Sequence, residues 1–307
     1  MSRWLVTGAT GLLGSDLVPQ LRCAGDEVVA LDRTDLDVTS ARAVLDVVVA
    51  ARPDVVVNCA AWTAVDSAET HEDEALAVNG GGPANLAAAC RTLAADGHRG
   101  GDGPLFLQLS TDYVFAGEAG IAYAEDAATG PRSAYGRTKL AGERAVRSAL
   151  PRTGHVLRTA WLYGAHGPNF VATMLRLERE QRNVSVVDDQ TGAPTWTCDV
   201  ADRIVRLGRL GLAREAPPGV YHATSGGATT WCGLARAVFE LVGADPERVL
   251  AITTAEMPRP ALRPVSSVLG HDRWSGIGVA PISDWRERLT AAMPSFATWV
   301  GRSGTNR

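Results

Sequence analysis

The sequence predicts an α/β protein organised around a doubly wound parallel sheet, with a second, smaller α/β region. Three observations carry the prediction. Short Val- and Leu-rich runs alternate with helical stretches through the first half of the chain, as in βαβ units. A glycine-rich turn directly follows the first run and opens an amphipathic helix. After about Tyr163 the pattern changes: strands become fewer, helices become amphipathic, and prolines cluster at 258–264.

The expected strands are Trp4–Thr7, Val28–Leu31, Val55–Cys59, Leu105–Leu109, Val156–Trp161 and Val220–Ala223. None alternates strictly between apolar and polar, which is the signature of strands covered on both faces. Helices are expected near 12–24, 40–51, 84–95 and 134–149. The run Gly97–Pro104 reads as a surface loop. On propensity alone, Asn79-Gly80-Gly81-Gly82-Pro83 breaks a helix.

Composition excludes several classes of function. With 46% hydrophobic and 21% charged residues, the chain has enough apolar surface to fold as an ordinary globular protein. The formal net charge is −4 and the arginines are scattered, so no basic face for nucleic acid is expected. No run approaches the roughly 20 apolar residues of a membrane span. The N-terminus enters a strand pattern at once, which predicts a cytoplasmic protein. The five cysteines (23, 59, 90, 198, 232) lack CxxC spacing and read as buried reduced thiols; the six histidines are dispersed, so no zinc site is expected.

The first strand ends in Thr7-Gly8-Ala9-Thr10-Gly11-Leu12-Leu13-Gly14. Gly8 permits a tight turn, Gly11 lets backbone N–H groups approach a pyrophosphate at a helix N-terminus, and Gly14 allows close helix–strand packing. Thr10, Leu12 and Leu13 supply the remaining backbone of this turn. Asp32 closes the next strand, where an acid meets the adenosine ribose hydroxyls. Arg33 beside it is able to pair with a 2′-phosphate that Asp32 repels, and Asp37-Val38 are placed to flank an adenine. Ala60 and Ala61, at the end of the third strand, complete the candidate dinucleotide site.

Among 30 basic residues only Lys139 is a lysine. It lies four residues after Tyr135, on one face of an expected helix. A free tyrosine, with a pKa near 10, is a poor acid–base group at neutral pH, and a nearby ammonium favours its phenolate. An ammonium is also compact where a guanidinium is planar and forked, so a position that keeps Lys in an Arg-rich chain is a candidate site. Ser110-Thr111-Asp112 ends the preceding strand, on the carboxyl edge where ligands of open α/β sheets bind. There Thr111 is placed to orient a reacting oxygen against Tyr135.

The glycine turn, Thr111 and Tyr135-xxx-Lys139 together resemble an extended short-chain dehydrogenase/reductase. Further stretches resemble the dTDP-4-dehydrorhamnose reductase family in particular: Asn58–Asp66, Ser110–Phe115, Tyr135–Glu143, Arg158–Gly164, Val187–Thr195 and Arg263-Pro264-xx-Ser267. The resemblance covers most of residues 4–290. It implies a Rossmann NAD(P)-binding domain over 1–168, rejoined by about 196–224, and a nucleotide-sugar domain from 169–195 and 225–307. It implies one long helix through Gly80–Pro83, against the propensity reading. It also implies reduction of the 4-keto group of a dTDP-4-keto-6-deoxyhexose by NADPH, with NADH also accepted, in a monomer or homodimer.

Carried over by position, Thr111, Tyr135 and Lys139 form the catalytic group. The resemblance has Tyr135 protonate the developing alkoxide, while Lys139 lowers the Tyr135 pKa and holds the nicotinamide ribose. Asp112, Tyr113 and Trp161 fall where the family contacts the sugar; Asn169, Gln190 and Arg263 lie around the substrate, with Arg263 opposite the diphosphate. Some members hold Mg²⁺ at a dimer contact through acidic residues. Here those regions offer Asp16 and Cys198-Asp199, and a thiol is a poor Mg²⁺ ligand, so no metal is expected. Two other readings share the fold: a nucleotide-sugar epimerase, and a non-catalytic NADP-binding subunit similar to a regulatory subunit of methionine adenosyltransferase. A 4,6-dehydratase is disfavoured, because that family places Asp-Glu after the catalytic Thr and this chain has Asp112-Tyr113.

Overall fold

The computed structural model describes residues 1–118 and 120–296. Six parallel strands form the central sheet: β1 (Arg3–Thr7), β2 (Glu27–Leu31), β3 (Val55–Asn58), β4 (Leu105–Thr111), β5 (Gly154–Thr159) and β6 (Gly219–His222), in the spatial order β2-β1-β3-β4-β5-β6. The continuous hydrophobicity of the strands has a direct cause. Successive side chains point to opposite faces, and both faces are covered. Trp4, Val6, Val57 and Leu107 enter one core with Leu17, Leu21, Ile204 and Trp274. Leu5, Val56 and Phe106 enter another with Leu86, Cys90 and Val146.

The helices flanking the sheet are α1 (Gly14–Cys23), α2 (Ala41–Ala51), α3 (Glu72–Ala95), α4 (Ala134–Ala149) and, later in the chain, α6 (Thr197–Leu212). Helix α3 runs through the Asn-Gly-Gly-Gly-Pro stretch, which corrects the propensity reading. It does so with one wide π-helical turn, Ala77–Gly81, before α-helical geometry resumes at Gly82. Packing supplies what propensity lacks. A Cβ on Gly82 would lie 2.8 Å from Val38 Cγ2, and one on Gly142 of α4 would lie 2.2 Å from the Asn79 carbonyl oxygen. The glycines are the condition for α3 to touch both the β2–α2 loop and α4.

Strand β4 runs two residues beyond its expected end, to Thr111, and β5 stops at Thr159. The chain then leaves the sheet. Helices α5 (Phe170–Arg179), α7 (Trp231–Leu241) and α8 (Trp285–Ala292) gather around Val171, Leu175, Leu234, Val238, Phe239 and Leu289, with the parallel pair 184–187 and 249–252 beside them. Between these segments α6 packs on α1 and β6 joins the sheet edge. The last expected residues of this region, 297–307, lie outside the described residues. All five cysteines are free, but Cys23 is exposed rather than buried, because it ends α1 on the solvent side. Among the described residues no helix is long and apolar enough to cross a membrane.

Candidate active site

The strand order reverses between β1 and β3: β2 lies on one side of β1 and β3 on the other. A crevice opens at such a point beyond the carboxyl ends of the strands. Gly8 sits there with φ +65°, and a Cβ on it would lie 2.7 Å from Ala60 N and 2.8 Å from the Cys59 carbonyl carbon. Gly14 is as constrained: its Cβ would lie 2.4 Å from the Gly8 carbonyl oxygen. The backbone N–H groups of Thr10, Leu12 and Leu13 find no acceptor among the described residues, at the N-terminus of α1. Unsatisfied N–H groups at a helix N-terminus favour an anion, so this cradle fits a pyrophosphate. Ala60 N lies against Gly8 and is held by Asn58 Oδ1 at 3.2 Å, with Ala61 next along the chain.

The adenosine end is open. Asp32 follows β2, and its Oδ1 accepts Thr34 N and Thr34 Oγ1, both at 2.7 Å. Those hydrogen bonds from Thr34 lower its pKa, so it is a carboxylate at neutral pH. Arg33 is exposed. Asp37 is held low by Thr39, with the Arg33 charge adding to the effect. Val38, expected to flank an adenine, turns its side chain into the core against Gly82.

The opposite holds where β4 meets α4. Ser133 caps α4 by accepting Gly136 N at 3.1 Å. A Cβ on Gly136 would lie 2.2 Å from the Tyr113 carbonyl oxygen, so α4 sits directly on the turn after β4. This brings Tyr135 edge-on to Tyr113, with ring centroids 5.6 Å apart. Burial pushes the Tyr135 phenol up to about 12; hydrogen bonding with Thr111 opposes the rise and the charge of Asp112 adds to it. The phenol is therefore protonated at neutral pH, the state an acid catalyst needs. Thr111 Oγ1 donates to Asp112 Oδ1 at 2.9 Å and accepts Tyr113 N at 3.2 Å. Asp112 is buried, which raises its carboxyl to about 6 against hydrogen bonds from Ser267 and Thr111.

Lys139 is 3% exposed, and its Nζ donates to the Leu109 carbonyl at 2.7 Å. Burial lowers its pKa to about 8, against the charges of Glu143 and Cys59. The sequence reading gives this ammonium the task of lowering the Tyr135 pKa. In the structure it is turned to the β4 backbone instead, and the groups acting on the phenol are Thr111 and Asp112.

The remaining expected substrate residues divide by contact. Trp161 has φ +47°, which for a non-glycine residue costs about 1–2 kcal/mol. Its indole stacks face to face on Trp231, with centroids 3.6 Å apart. Asn169 caps α5 by accepting Ala172 N at 3.0 Å, and its Nδ2 donates to the Gly164 carbonyl at 2.8 Å, so its amide is committed to its own loop. Gln190 Nε2 donates to Thr254 Oγ1 at 2.9 Å. Arg263 is forked onto Asp66, with both contacts at 2.9 Å. Burial acts to raise Asp66, but the bonds and charge of Arg263, the Ala261 N–H and the charge of Arg259 outweigh it and hold the carboxyl low.

Three residues that sequence reasoning did not single out organise this corner. Asn79, in the π turn of α3, accepts Trp62 N at 2.9 Å and donates to Thr138 Oγ1 at 3.1 Å, tying the β3 loop to α4 between Tyr135 and Lys139. The signal was present: a helix-breaking run inside a helix marks a place where backbone geometry has a use. Gln108 accepts Asn58 Nδ2 at 2.9 Å and donates to the same Leu109 carbonyl that receives Lys139. Glu143 pairs bidentately with Arg158 at 2.9 and 2.7 Å, both side chains at most 3% exposed. Glu143 and Arg158 each bound a stretch that carries the family resemblance, but their pairing is not visible in one dimension, nor is that of Gln108 with Asn58.

The acidic positions at which a metal was weighed do not converge. Asp16 accepts the Thr197 hydroxyl and faces His166, Cys198 Sγ accepts Gln20 Nε2 at 3.2 Å, and Asp199 is forked onto Arg288 at 2.9 and 2.7 Å. Among the described residues no three His, Cys, Asp or Glu side chains gather to hold a metal ion.

Comparison with known proteins places this geometry. A family model described as the RmlD substrate binding domain matches residues 2–298. The chain is 54% identical to a dTDP-4-dehydrorhamnose reductase of Streptomyces griseus, over 98% of this chain and 96% of the relative. It is 50% identical to a dTDP-4-keto-6-deoxy-D-glucose reductase of Streptomyces niveus, over 95% and 96%. The fold is similar to the crystal structure of a dTDP-4-dehydrorhamnose reductase from Bacillus anthracis in complex with NADP, with TM-score 0.88, 33% identity, and coverage of 95% of this chain and 99% of that one. The glycine cradle at the β1/β3 crevice, the Thr111–Tyr135–Lys139 corner and these matches together identify the chain as an oxidoreductase belonging to the dTDP-4-dehydrorhamnose reductase family.

Proposed function

We propose that the protein reduces the 4-keto group of a dTDP-4-dehydro-6-deoxyhexose to the corresponding alcohol, using NADPH and also NADH, as a cytoplasmic monomer or homodimer. The observation that carries this reading is the placement of a protonated, half-buried tyrosine beside Thr111 at the carboxyl end of β4, next to the only lysine of the chain. The names of the Streptomyces relatives and the NADP complex of the B. anthracis structure support the substrate and cofactor classes. Residues 1–168 with about 196–224 form the nucleotide-binding part, and 169–195 with 225–307 the sugar part.

Gly8, Thr10, Gly11, Leu12 and Leu13 hold the pyrophosphate, Asp32 and Arg33 the adenosine ribose, Asp37 and Val38 the adenine edge, and Ala60 and Ala61 the opposite wall. When bound, the reduced nicotinamide supplies hydride to C4. Tyr135 donates its phenolic proton to the developing C4 alkoxide, and Thr111 orients that oxygen. Lys139, held by the Leu109 carbonyl, keeps a positive charge beside the nicotinamide ribose and within the field of the phenolate that forms. Asp112, Tyr113 and Trp161 surround the sugar, with Asn169 and Gln190 at its periphery and Arg263 toward the diphosphate.

The test is direct. Protein, NADPH and a dTDP-4-keto-6-deoxyhexose are mixed, and the absorbance of the reduced nicotinamide is followed. Net loss is the expected result, and NMR of the product reads the C4 configuration. An epimerase or a non-catalytic binder leaves the absorbance unchanged, which would overturn the proposal.

A further inference from the structure

Trp161 lies two residues beyond Thr159, the β5 residue registered against Thr111, so it stands beside the reacting corner and remains partly exposed there. Its left-handed backbone is not self-supporting, and the segment Asp188–Gly192 builds the support. Thr191 and Gly192 pair antiparallel with Thr230 and Thr229. The Asp188 carboxylate accepts the Thr230 hydroxyl, while Thr230 Oγ1 accepts Gly233 N at 2.9 Å and so caps α7. The first residue of that helix is Trp231, whose ring lies within 7° of parallel to Trp161. Phe170 packs on Trp231 with centroids 4.7 Å apart. Gly192 leaves the space: a Cβ there would lie 2.5 Å from Trp161 Cε2. Its φ is not positive, so the glycine is required for room rather than for conformation.

We infer that Trp231 is a positioning residue for the sugar subsite: capped by Thr230 and Asp188, it fixes the Trp161 indole as a flat wall against the 6-deoxyhexose. The inference rests on the proposed function, in which Trp161 faces the sugar. A flat, immobile indole suits the apolar C–H face of a hexose, and the rigidity comes from the second indole and the absent side chain at position 192.

The test compares Trp231→Ala, Trp231→Phe and Gly192→Ala with wild type in the full-length protein. Trp231→Ala and Gly192→Ala should each raise KM for the dTDP-4-keto-6-deoxyhexose about tenfold or more, with kcat within about threefold. Trp231→Phe keeps an aromatic backing and should bring KM back to within about threefold of wild type. NADPH affinity should be unchanged in all three, which separates positioning from a general loss of fold. Circular dichroism should lose the exciton couplet of two stacked indoles in both Trp231 variants. A Trp231→Ala variant that has lost the couplet, binds NADPH normally and keeps a wild-type KM would overturn the inference alone. A wild-type protein that neither binds nor reduces the sugar nucleotide would overturn the proposed function, and this inference with it.

Discussion

Two aspartates follow separate strands of one sheet and meet opposite fates. Asp32 follows β2 and Asp112 follows β4. Asp32 is only half-buried, and hydrogen bonds from Thr34 lower its pKa. Asp112 is 2% exposed, and burial raises its carboxyl to about 6. The difference is not in the local hydrogen bonding, since each accepts from a neighbour in sequence. It lies in what covers them: Asp32 stays partly accessible beside the exposed residues 33–35, whereas α4, Tyr113 and Ser267 close over the β4 end. Desolvation is a tertiary effect, and it makes the reacting corner sensitive to single atoms while the adenosine end stays tolerant.

The strongest test of that contrast is Tyr135→Phe, which removes one oxygen from the closed corner. Loss of a general acid is worth about 10²–10⁴-fold, so kcat should fall by that range with NADPH affinity unchanged. Steady-state kinetics check this, and activity within about fivefold of wild type would take Tyr135 out of the mechanism.

Glu143→Gln probes the same region through stability. It leaves the Arg158 guanidinium buried without its counter-charge, a change that costs about 3–5 kcal/mol. The urea midpoint should drop accordingly. Lys139 also loses the charge of Glu143, which favours its protonated form, so the lysine should titrate lower still.

Lys139→Arg is smaller but more discriminating. The ammonium is the dominant form below its pKa of about 8, so wild-type kcat/KM should decline as pH rises through that value. A guanidinium does not titrate there; the alkaline decline should move to higher pH while kcat/KM falls about tenfold, because the planar fork cannot occupy the single-donor geometry at the Leu109 carbonyl. A near wild-type rate with an unmoved pH profile would mean that the only lysine occupies this position by chance.

The open end should give the smallest effects. Asp32→Ser should shift kcat/KM toward NADPH, and Arg33→Ser toward NADH, each by more than about twofold. Ratios that do not move would place the adenosine pocket elsewhere.

How much of this was legible in the chain follows the same division. The six strands, the turn at Gly8–Gly14 and the Tyr135–Lys139 spacing are local features, and each was readable as period, punctuation or helical register. The stretch Asn79–Pro83, which spans the π turn and the helix after it, was misread by propensity alone, because its glycines answer to Val38 and α4 rather than to their own helix. Asn169 and Arg263 carry the right chemistry for a ligand; the structure adds that Asn169 also caps α5 and that Arg263 is forked onto Asp66.

The sequence by itself determined the parallel sheet, the anion cradle and which side chains reach the carboxyl edge, because periodicity and glycine spacing act through the covalent chain. Only the tertiary structure decided their states. It raised the Tyr135 phenol to about 12 and the Asp112 carboxyl to about 6, turned Lys139 to the Leu109 carbonyl, and held Trp161 against Trp231. Each of these depends on a neighbour far along the chain and on the removal of water, and neither is written in the order of the residues.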